Sequence, residues 1–386
     1  MQDFTFQNET KLVFGKDKEK EVGREVAPFS KSALLVYGSD RIKRTGLYDT
    51  VVQSLEKENI SHMDLSGVQP NPRLSLVYEG IDRVRENDIG FILAIGGGSP
   101  IDTAKAIAVG VPYDGDVWEL FEGEPVKEAM PTGCVLTYPA AGSEASVGSV
   151  ITREEGWYKR PLGDVLMRPR FAILNPELTL SVPKDLTAIG VADIMSHLME
   201  RYFTRVRNTD LTDELIEGTL RTVIRNTDKV MADPEDIDAR AEIMLASTYA
   251  HNDFFTVGRL GDWASHNIEH ELSGIYDIPH GAGLSIVMPA WLSYVYKEDL
   301  FRFVDFAREV FGVESNSKSD DEIARQGIKK LKAFYNEIGL PTRLEQVDID
   351  SSRFEEMAIK CTESGPQGNF KKLQKEDVVE ILKLAL

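Results

Sequence analysis

The segment "FILAIGGGSPIDTAKAIA" (residues 91–108) constrains the fold of this chain more than any other segment. An unbroken apolar run leads into three consecutive glycines, and a stretch with helical periodicity follows. Pro100 suits the first position of that helix, and Ser99 with Asp102 has the S-x-x-D spacing of a helix cap. This order predicts a βα unit whose helix N-terminus offers N–H groups to a phosphate, because the glycines leave room for it.

The glycine motif taken alone leaves two interpretations open. It lacks the G-x-G-x-x-G spacing of the usual dinucleotide fingerprint, so it indicates a phosphate-bearing ligand without identifying one. A well-capped turn that binds nothing accounts for the motif equally well.

Further β-branched and helical stretches alternate through the first half of the chain. Strands are expected at 32–38, 89–98, 133–140 and 170–176, with helices near 47–58 and 102–110. After residue 183 the pattern is helical to the end. Because 386 residues exceed the size of a single core, we expect two domains: an α/β dinucleotide-binding domain with a Rossmann-like parallel sheet at 1–183, and an all-helical metal-binding domain at 184–386.

The charge balance excludes several classes of partner. The chain has 63 acidic and 44 basic residues and a net charge of −19, which argues against nucleic acid and anionic membrane surfaces. A signal sequence and a long apolar segment are both missing, so the chain is expected to be cytoplasmic. Two isolated cysteines, Cys134 and Cys361, cannot make a thiolate site, so any metal must be held by histidines and carboxylates.

Two helical segments bring together residues that can bind a metal. In "GVADIMSHLMERYF" (190–203), Asp193 and His197 are one turn apart among apolar neighbours. In "WASHNIEHELSG" (263–274), His266 and His270 share a face, and His280 follows in a Pro-His-Gly turn after Gly274 and Pro279 end the helix. Four ligands for Zn²⁺ or Fe²⁺ can be drawn from these five residues, and the fifth is expected to support a ligand or handle protons.

His266 to His270 also matches H-x-x-E-H, the pattern of one class of zinc peptidase, in which Glu269 is the general base. That alternative leaves the glycine loop, Asp193, His197 and His280 without a role. Glu269 is about 100° round the helix from His270, so we expect an ordinary carboxylate on the helix surface.

Taken together, these segments resemble the iron-containing (group III) alcohol dehydrogenases, above all their bacterial butanol dehydrogenase and NADPH-dependent aldehyde reductase branch. The resemblance runs nearly end to end, through "KLVFG" (11–15), "GVQPNP" (67–72), "GGGSPIDTAK" (96–105), "TYPAAGSE" (137–144), "ILNPELT" (173–179), "GVADIMSH" (190–197) and "HELSGIYDIPHG" (270–281). It implies a two-domain, dehydroquinate synthase-like architecture with a catalytic cleft between the domains, and a homodimer.

The resemblance also implies roles for single residues. The metal ligands correspond to Asp193, His197, His266 and His280, and His270 is the histidine that handles protons. The cofactor-binding positions correspond to Gly38, Ser39, Asp40, Asn71, Gly97, Gly98, Ser99, Asp102, Thr137, Ser143 and Lys159.

The implied activity is hydride transfer between nicotinamide C4 and a small primary alcohol or aldehyde held at Fe²⁺ or Zn²⁺. A glycerol dehydrogenase-like polyol dehydrogenase of the same fold is the alternative. Ser39, followed by Arg41, Lys43 and Arg44, favours the 2′-phosphate of NADP, whereas the carboxylate of Asp40 favours NAD. We expect NADP.

Overall fold

The computed structural model describes residues 1–315 and 317–386. The chain forms two compact units, Gln7–Ser181 and a helical unit that combines Val182–Leu386 with Met1–Phe6. The sequence assigned the first six residues to the α/β domain, but they lie on the helical unit. The Gln2 amide donates to the Gly258 carbonyl at 2.9 Å, and the Phe6 ring meets Phe254 edge to face at 5.7 Å.

The unit Gln7–Ser181 is built on a parallel sheet, as the alternating sequence pattern predicted. Within the described residues the sheet has six strands in the order β1-β8-β5-β4-β2-β3, and β6 and β7 form a separate antiparallel pair. The inner strands are buried along nearly their whole length, which is why they appear in the sequence as continuous apolar runs. The strands are β1 (Lys11–Phe14), β2 (Ser32–Tyr37), β3 (Ser61–Leu65), β4 (Phe91–Gly96), β5 (Thr132–Leu136), β6 (Gly148–Arg153), β7 (Tyr158–Gly163) and β8 (Phe171–Leu174).

The helices of this unit connect the strands. They are α1 (Val22–Val26), α2 (Arg41–Arg44), α3 (Leu47–Lys57), α4 (Leu74–Glu86), α5 (Gly98–Gly110) and α6 (Val117–Phe121). The chain goes from β2 outward to β3, and from β4 in the opposite direction to β5, so the strand order reverses between β2 and β4. In open α/β sheets, ligands bind at the carboxyl ends of the strands beside this reversal.

The helical unit surrounds its own apolar core. Its helices are α7 (Lys184–Tyr202), α8 (Asp210–Ala232), α9 (Ile237–Ala250), α10 (Ala264–Tyr276), α11 (His280–Val295), α12 (Leu300–Asp305), α13 (Asp320–Glu337), α14 (Phe354–Cys361) and α15 (Lys375–Leu384). The central helices α7 and α11 are buried on nearly all sides, consistent with the apolar residues around their circumference. Of the helices in the described ranges, none is long and apolar enough to cross a membrane.

Helix α11 packs against both α7 and α10. Gly281 allows the approach to α7, because a Cβ added there would lie 2.0 Å from the Ile189 carbonyl oxygen. Gly283 leaves room for α10, because its added Cβ would lie 2.5 Å from Glu269 Oε1. The three helices that carry the candidate metal ligands therefore converge around the start of α11.

Candidate metal centre and nucleotide loop

The candidate metal centre combines residues from α7, α10 and α11. Potential ligand atoms of Asp193, His266 and His280 lie within 4.8 Å of one another. The Asp193 Oδ1 atom is 3.9 Å from His280 Nε2 and 3.5 Å from His197 Nδ1. Three of the four expected ligands thus form one compact group. The fourth, His197, lies next to Asp193.

His197 lies beside this group, next to Asp193 and His266. Its ring stacks on the His266 ring with centroids 4.8 Å apart. Burial lowers the pKa of His197 well below its usual range, and the nearby His251 and His266 rings add to the effect. The imidazole is therefore neutral at physiological pH, which is the form that binds metals.

The orientation of His266 is fixed by Glu200, a residue that the sequence patterns did not single out. Glu200 follows His197 on α7, is fully buried, and its Oε1 accepts from His266 Nδ1 at 2.7 Å. The same carboxylate accepts from the Trp263 amide at 2.5 Å and from the Ser265 hydroxyl at 2.5 Å. Burial alone would raise the pKa of Glu200, but the hydrogen bonds from these donors outweigh it and hold the pKa below its usual range. The ionised carboxylate fixes the proton on Nδ1 and leaves Nε2 of His266 as the metal-facing nitrogen.

Glu269 plays the same part for His280, and the expectation of a surface carboxylate was wrong. Its side chain is fully buried, and Oε2 is hydrogen-bonded to His280 Nδ1. The periodicity of α10 could not reveal this, because α11 returns over that face. His280 was expected in a turn but is the first residue of α11, while α10 continues through Gly274 to Tyr276.

His270 lies beside the same centre. Its ring centroid is 5.5 Å from that of His280, and it forms a second possible ligand group with Glu269 and His280, again within 4.8 Å. Two further rings lie next to His197: the His251 centroid is 4.1 Å and the Trp263 centroid is 6.1 Å from the His197 centroid. His251, which no sequence motif indicated, is therefore a neighbour of the candidate ligands.

The donor set fits a divalent cation. Within the described residues, Nδ1 of His197 and Nε2 of His266 are buried and make no hydrogen bond. Leaving such atoms without a hydrogen bond costs free energy, which a bound cation would offset. One carboxylate oxygen and three imidazole nitrogens suit Fe²⁺ and Zn²⁺ alike.

The candidate nucleotide site lies in the other unit, at the carboxyl ends of the central strands. Gly38, Ser39 and Asp40 follow β2, Gly97 and Gly98 follow β4, and Thr137 follows β5. The Thr137 amide donates to the Gly96 carbonyl at 2.9 Å, which joins two of these loops. Most of the expected cofactor positions thus surround the reversal of strand order.

Two details of the glycine loop differ from expectation. Helix α5 begins at Gly98, so Pro100 is its third residue, and no side-chain cap is found for it in the part of the chain that the structure describes. Asp102 instead accepts from the Ser143 hydroxyl at 2.5 Å and from the Val150 amide at 3.0 Å. This carboxylate joins α5 to a distant segment, which local spacing cannot show.

Lys105, to which no sequence pattern assigned a role, lies beneath the loop. It is fully buried, and its Nζ donates to the Ser143 hydroxyl at 3.0 Å and to the carbonyls of Ser146 and Gly148 at 2.9 and 2.8 Å. Burial lowers the pKa of Lys105 to about 8. A second buried pair joins Asn71 and Lys159, whose Nζ donates to Asn71 Oδ1 at 3.0 Å.

Comparison with known protein families accounts for nearly the whole chain. A family model described as "Iron-containing alcohol dehydrogenase" matches residues 9–176. A second model, "Fe-containing alcohol dehydrogenase family, C-terminal", matches residues 187–386.

Individual proteins are similar over the same extent. The probable NADH-dependent butanol dehydrogenase 1 of Bacillus subtilis is 45% identical over 387 residues, with 100% of each chain covered. An NADPH-dependent aldehyde reductase of Escherichia coli is 32% identical, with 95% of this chain and 94% of the relative covered. The crystal structure of an NADH-dependent butanol dehydrogenase A from Thermotoga maritima superposes with a TM-score of 0.96 at 37% identity, covering 100% of this chain and 99% of the other.

Proposed function

This chain belongs to the iron-containing alcohol dehydrogenase family, and on that premise we propose that Asp193, His197, His266 and His280 hold its catalytic metal. The chain is an NAD(P)-linked alcohol dehydrogenase or aldehyde reductase. The single observation that carries the proposed ligand set is the convergence of Asp193, His266 and His280 within 4.8 Å, on three separate helices.

The protein residues have distinct tasks in the reaction. A divalent ion held by Asp193, His197, His266 and His280 would supply a Lewis acid that stabilises negative charge on the substrate oxygen. His270 lies next to His280, and we assign to it the transfer of the alcohol proton toward solvent. We assign the binding of the nicotinamide nucleotide to the unit Gln7–Ser181, with the N-terminus of α5 receiving the phosphates.

We propose that further residues around the glycine loop also belong to the nucleotide site. The amides of Gly97, Gly98 and Ser99 lie at the start of α5, where the helix dipole favours an anion. Asp102 and Ser143 position the adjoining segment through their hydrogen bond. Thr137, Asn71 and Lys159 complete the set, together with Gly38, Ser39 and Asp40 after β2.

Replacing each helix α10 histidine tests the division of roles. We expect His266→Ala to lose the metal, because it removes a ligand, and His270→Ala to keep the metal but turn over more slowly. Metal content measured by atomic emission, together with kcat for butanal reduction, distinguishes the two variants. Equal metal content and equal activity in both would contradict the assignment.

For the nucleotide, two observations point in opposite directions. Ser39 and the basic residues after it support NADP, yet Lys43 already pairs with Asp40 at 3.8 Å and Asp64 at 3.9 Å. The relatives of 40–45% identity carry NADH in their names, whereas the Escherichia coli relative carries NADPH. We retain NADP as the proposed preference, and a tenfold higher kcat/KM with NADH than with NADPH would overturn it.

The substrate class we propose is a small primary alcohol or its aldehyde, in line with the names of the relatives. Absorbance at 340 nm, followed with butanal, butanol and glycerol after metal reconstitution, separates this class from a polyol dehydrogenase. Faster turnover of glycerol than of butanol would favour the polyol alternative. A cytoplasmic homodimer is proposed as well, and sedimentation velocity tests the dimer.

A further inference from the structure

Two buried carboxylates lie behind the candidate metal ligands, each on the far side of a histidine ring. Glu200 accepts from His266 Nδ1 at 2.7 Å, and Glu269 is hydrogen-bonded to His280 Nδ1. Both carboxylates are fully buried. In each pair the bond uses Nδ1, so the other ring nitrogen, Nε2, points away from the carboxylate.

We propose that Glu200 and Glu269 are positioning residues that orient His266 and His280 and raise the affinity of the centre for its metal. This inference rests on the proposed metal site. A carboxylate that accepts the Nδ1 proton fixes the tautomer with a free Nε2, fixes the ring angle, and makes Nε2 a stronger electron donor.

Contacts from α10 and α11 hold the Glu269 carboxylate in place. Ser273 Oγ on the same helix contacts its Oε1 and also lies 3.1 Å from the Ile278 carbonyl. Gly283 on α11 lies opposite the Glu269 carboxylate, and a side chain at this position would collide with that carboxylate. A glycine on α11 therefore makes the space that a buried acid on α10 occupies.

Glu200 accepts several hydrogen bonds besides the one from the His266 ring. In addition to His266, its two oxygens accept from the Trp263 amide, the Ser265 hydroxyl and the His266 amide, the last at 3.2 Å. These donors belong to the first residues of α10 and the residue before it. Glu200 consequently fixes the start of the helix that carries His266 as well as the ring itself.

This geometry also bears on the H-x-x-E-H motif. A peptidase of that class needs its glutamate next to a bound water molecule. Here Glu269 is buried and hydrogen-bonded to His280. In this chain the motif therefore supplies a proposed ligand, His266, the histidine beside the metal centre, His270, and the carboxylate that orients His280.

Glu269→Gln is the most selective test, because the amide fits the existing contacts. The amide oxygen of the glutamine takes the place of the Glu269 Oε2 atom and accepts from His280 Nδ1. The NH₂ group takes the place of Oε1 and donates to Ser273 Oγ, which in turn donates to the Ile278 carbonyl. The variant therefore removes the charge with little change in packing. Glu200→Gln is the second variant, and there one amide hydrogen must face another donor, so a loss of stability is expected too.

Metal affinity of the full-length apoprotein is the readout, measured for Zn²⁺ and Co²⁺ by competition with a chromophoric chelator. We expect Glu269→Gln to weaken the affinity about 10- to 100-fold and to shift the Co²⁺ absorption bands, with the Tm of the apoprotein unchanged. With all affinities measured at pH 8, Glu217→Gln is the matched control. At that pH it also removes a buried carboxylate, one that accepts from the Tyr202 hydroxyl at 2.7 Å, and it should bind metal like the wild type.

The outcomes separate the two proposals. If the wild type binds metal and Glu269→Gln binds it within twofold with unchanged Co²⁺ bands, the positioning role is overturned and the metal site stands. An equal loss of affinity in Glu217→Gln also overturns it, because the effect would then be general. If the wild type binds neither metal, the proposed metal site fails and the positioning role fails with it. Should Glu200→Gln not fold, Glu269→Gln decides alone.

Discussion

At the scale of single residues, burial and hydrogen bonding together determine the protonation states of several groups in the helical unit. Burial and neighbouring rings keep His197 neutral by lowering its pKa, whereas several hydrogen-bond donors keep Glu200 ionised. Neutral imidazoles next to ionised carboxylates are the combination that a divalent cation requires. Glu217 shows the opposite case, because burial and the nearby acidic residues Glu214 and Glu309 raise its pKa from 4.5 to about 7.

The raised pKa of Glu217 predicts a pH-dependent contribution to stability. Between about pH 4.5 and pH 7 the folded protein keeps this proton and the unfolded chain has lost it, so the contribution falls as the pH rises through this window. Glu217→Gln imitates the protonated acid at every pH. We therefore expect the Tm of the variant, minus that of the wild type, to increase from pH 5 to pH 8 by roughly 2–4 °C.

Differential scanning fluorimetry at half-unit steps of pH measures this difference, and all groups common to both proteins cancel in it. A Tm difference that stays constant from pH 5 to pH 8 would show that Glu217 has an ordinary pKa in the folded protein.

At the scale of secondary-structure elements, the metal centre depends on the close approach of α11 to α7. Gly281 is the point of contact, and a methyl group there would lie 2.0 Å from the Ile189 carbonyl oxygen. Since that oxygen belongs to the backbone of a buried helix, it cannot move aside cheaply. His280 is the preceding residue, so any shift of α11 displaces a proposed ligand.

Gly281→Ala is therefore expected to weaken metal binding at least tenfold and to destabilise the protein by about 1–3 kcal/mol, the usual cost of overpacking a core. Gly218→Ala is the matched control, because its Cβ would meet only Arg221 Nη2 at 3.8 Å on helix α8. That variant should be about 0.5–1 kcal/mol more stable, since alanine favours a helix. Urea denaturation and chelator competition measure both effects, and normal metal affinity in Gly281→Ala would contradict this account of the helix contact.

The four inner strands of the sheet and the helical character of the second half were predicted from the sequence. The edge strands β1 and β3, the antiparallel pair of β6 and β7, and several contacts between elements were not. Apolar runs and periodicity locate the parallel sheet and the helices, because burial on both faces or on one stripe leaves a local pattern. Asp102 has the spacing of a cap, yet it binds Ser143, which is 41 residues away. Glu269 has the position of a surface residue, yet α11 covers it. Partners of this kind come from other elements, and local spacing carries no information about them.

The same limit applies to the candidate metal centre: residues with a local sequence pattern were found, and a partner from another element was missed. Five residues with metal-binding side chains stood out because ionisable groups inside apolar helices need partners, and the structure brings them together around Asp193 and His280. Glu200 did not stand out, since a glutamate between a methionine and an arginine near a helix end gives no sign of burial. A signal was present in hindsight: Glu200 is seven residues after Asp193, two turns along the same face of α7.

At the scale of the whole molecule, the proposed nucleotide and metal sites belong to units with separate cores. One core lies around the sheet and the other among the helices that include α7, α10 and α11. Each ligand should consequently stabilise its own unit. A ligand that binds only the folded state lowers the population of locally unfolded states in the segments that form its site.

Hydrogen exchange followed by mass spectrometry tests this division. Adding Zn²⁺ to the apoprotein should slow exchange in α7, α10 and the start of α11. The cation would join these three helices and bind buried nitrogens of His197 and His266 that make no hydrogen bond within the described residues. Adding NADPH or NADH should instead slow exchange in the loop after β2 and at the start of α5, where backbone amides would bind phosphate. In Asp193→Asn the effect of Zn²⁺ should be lost while that of the nucleotide persists. Protection by Zn²⁺ that is absent from α7, α10 and α11, or that survives in Asp193→Asn, would place the metal elsewhere in the chain.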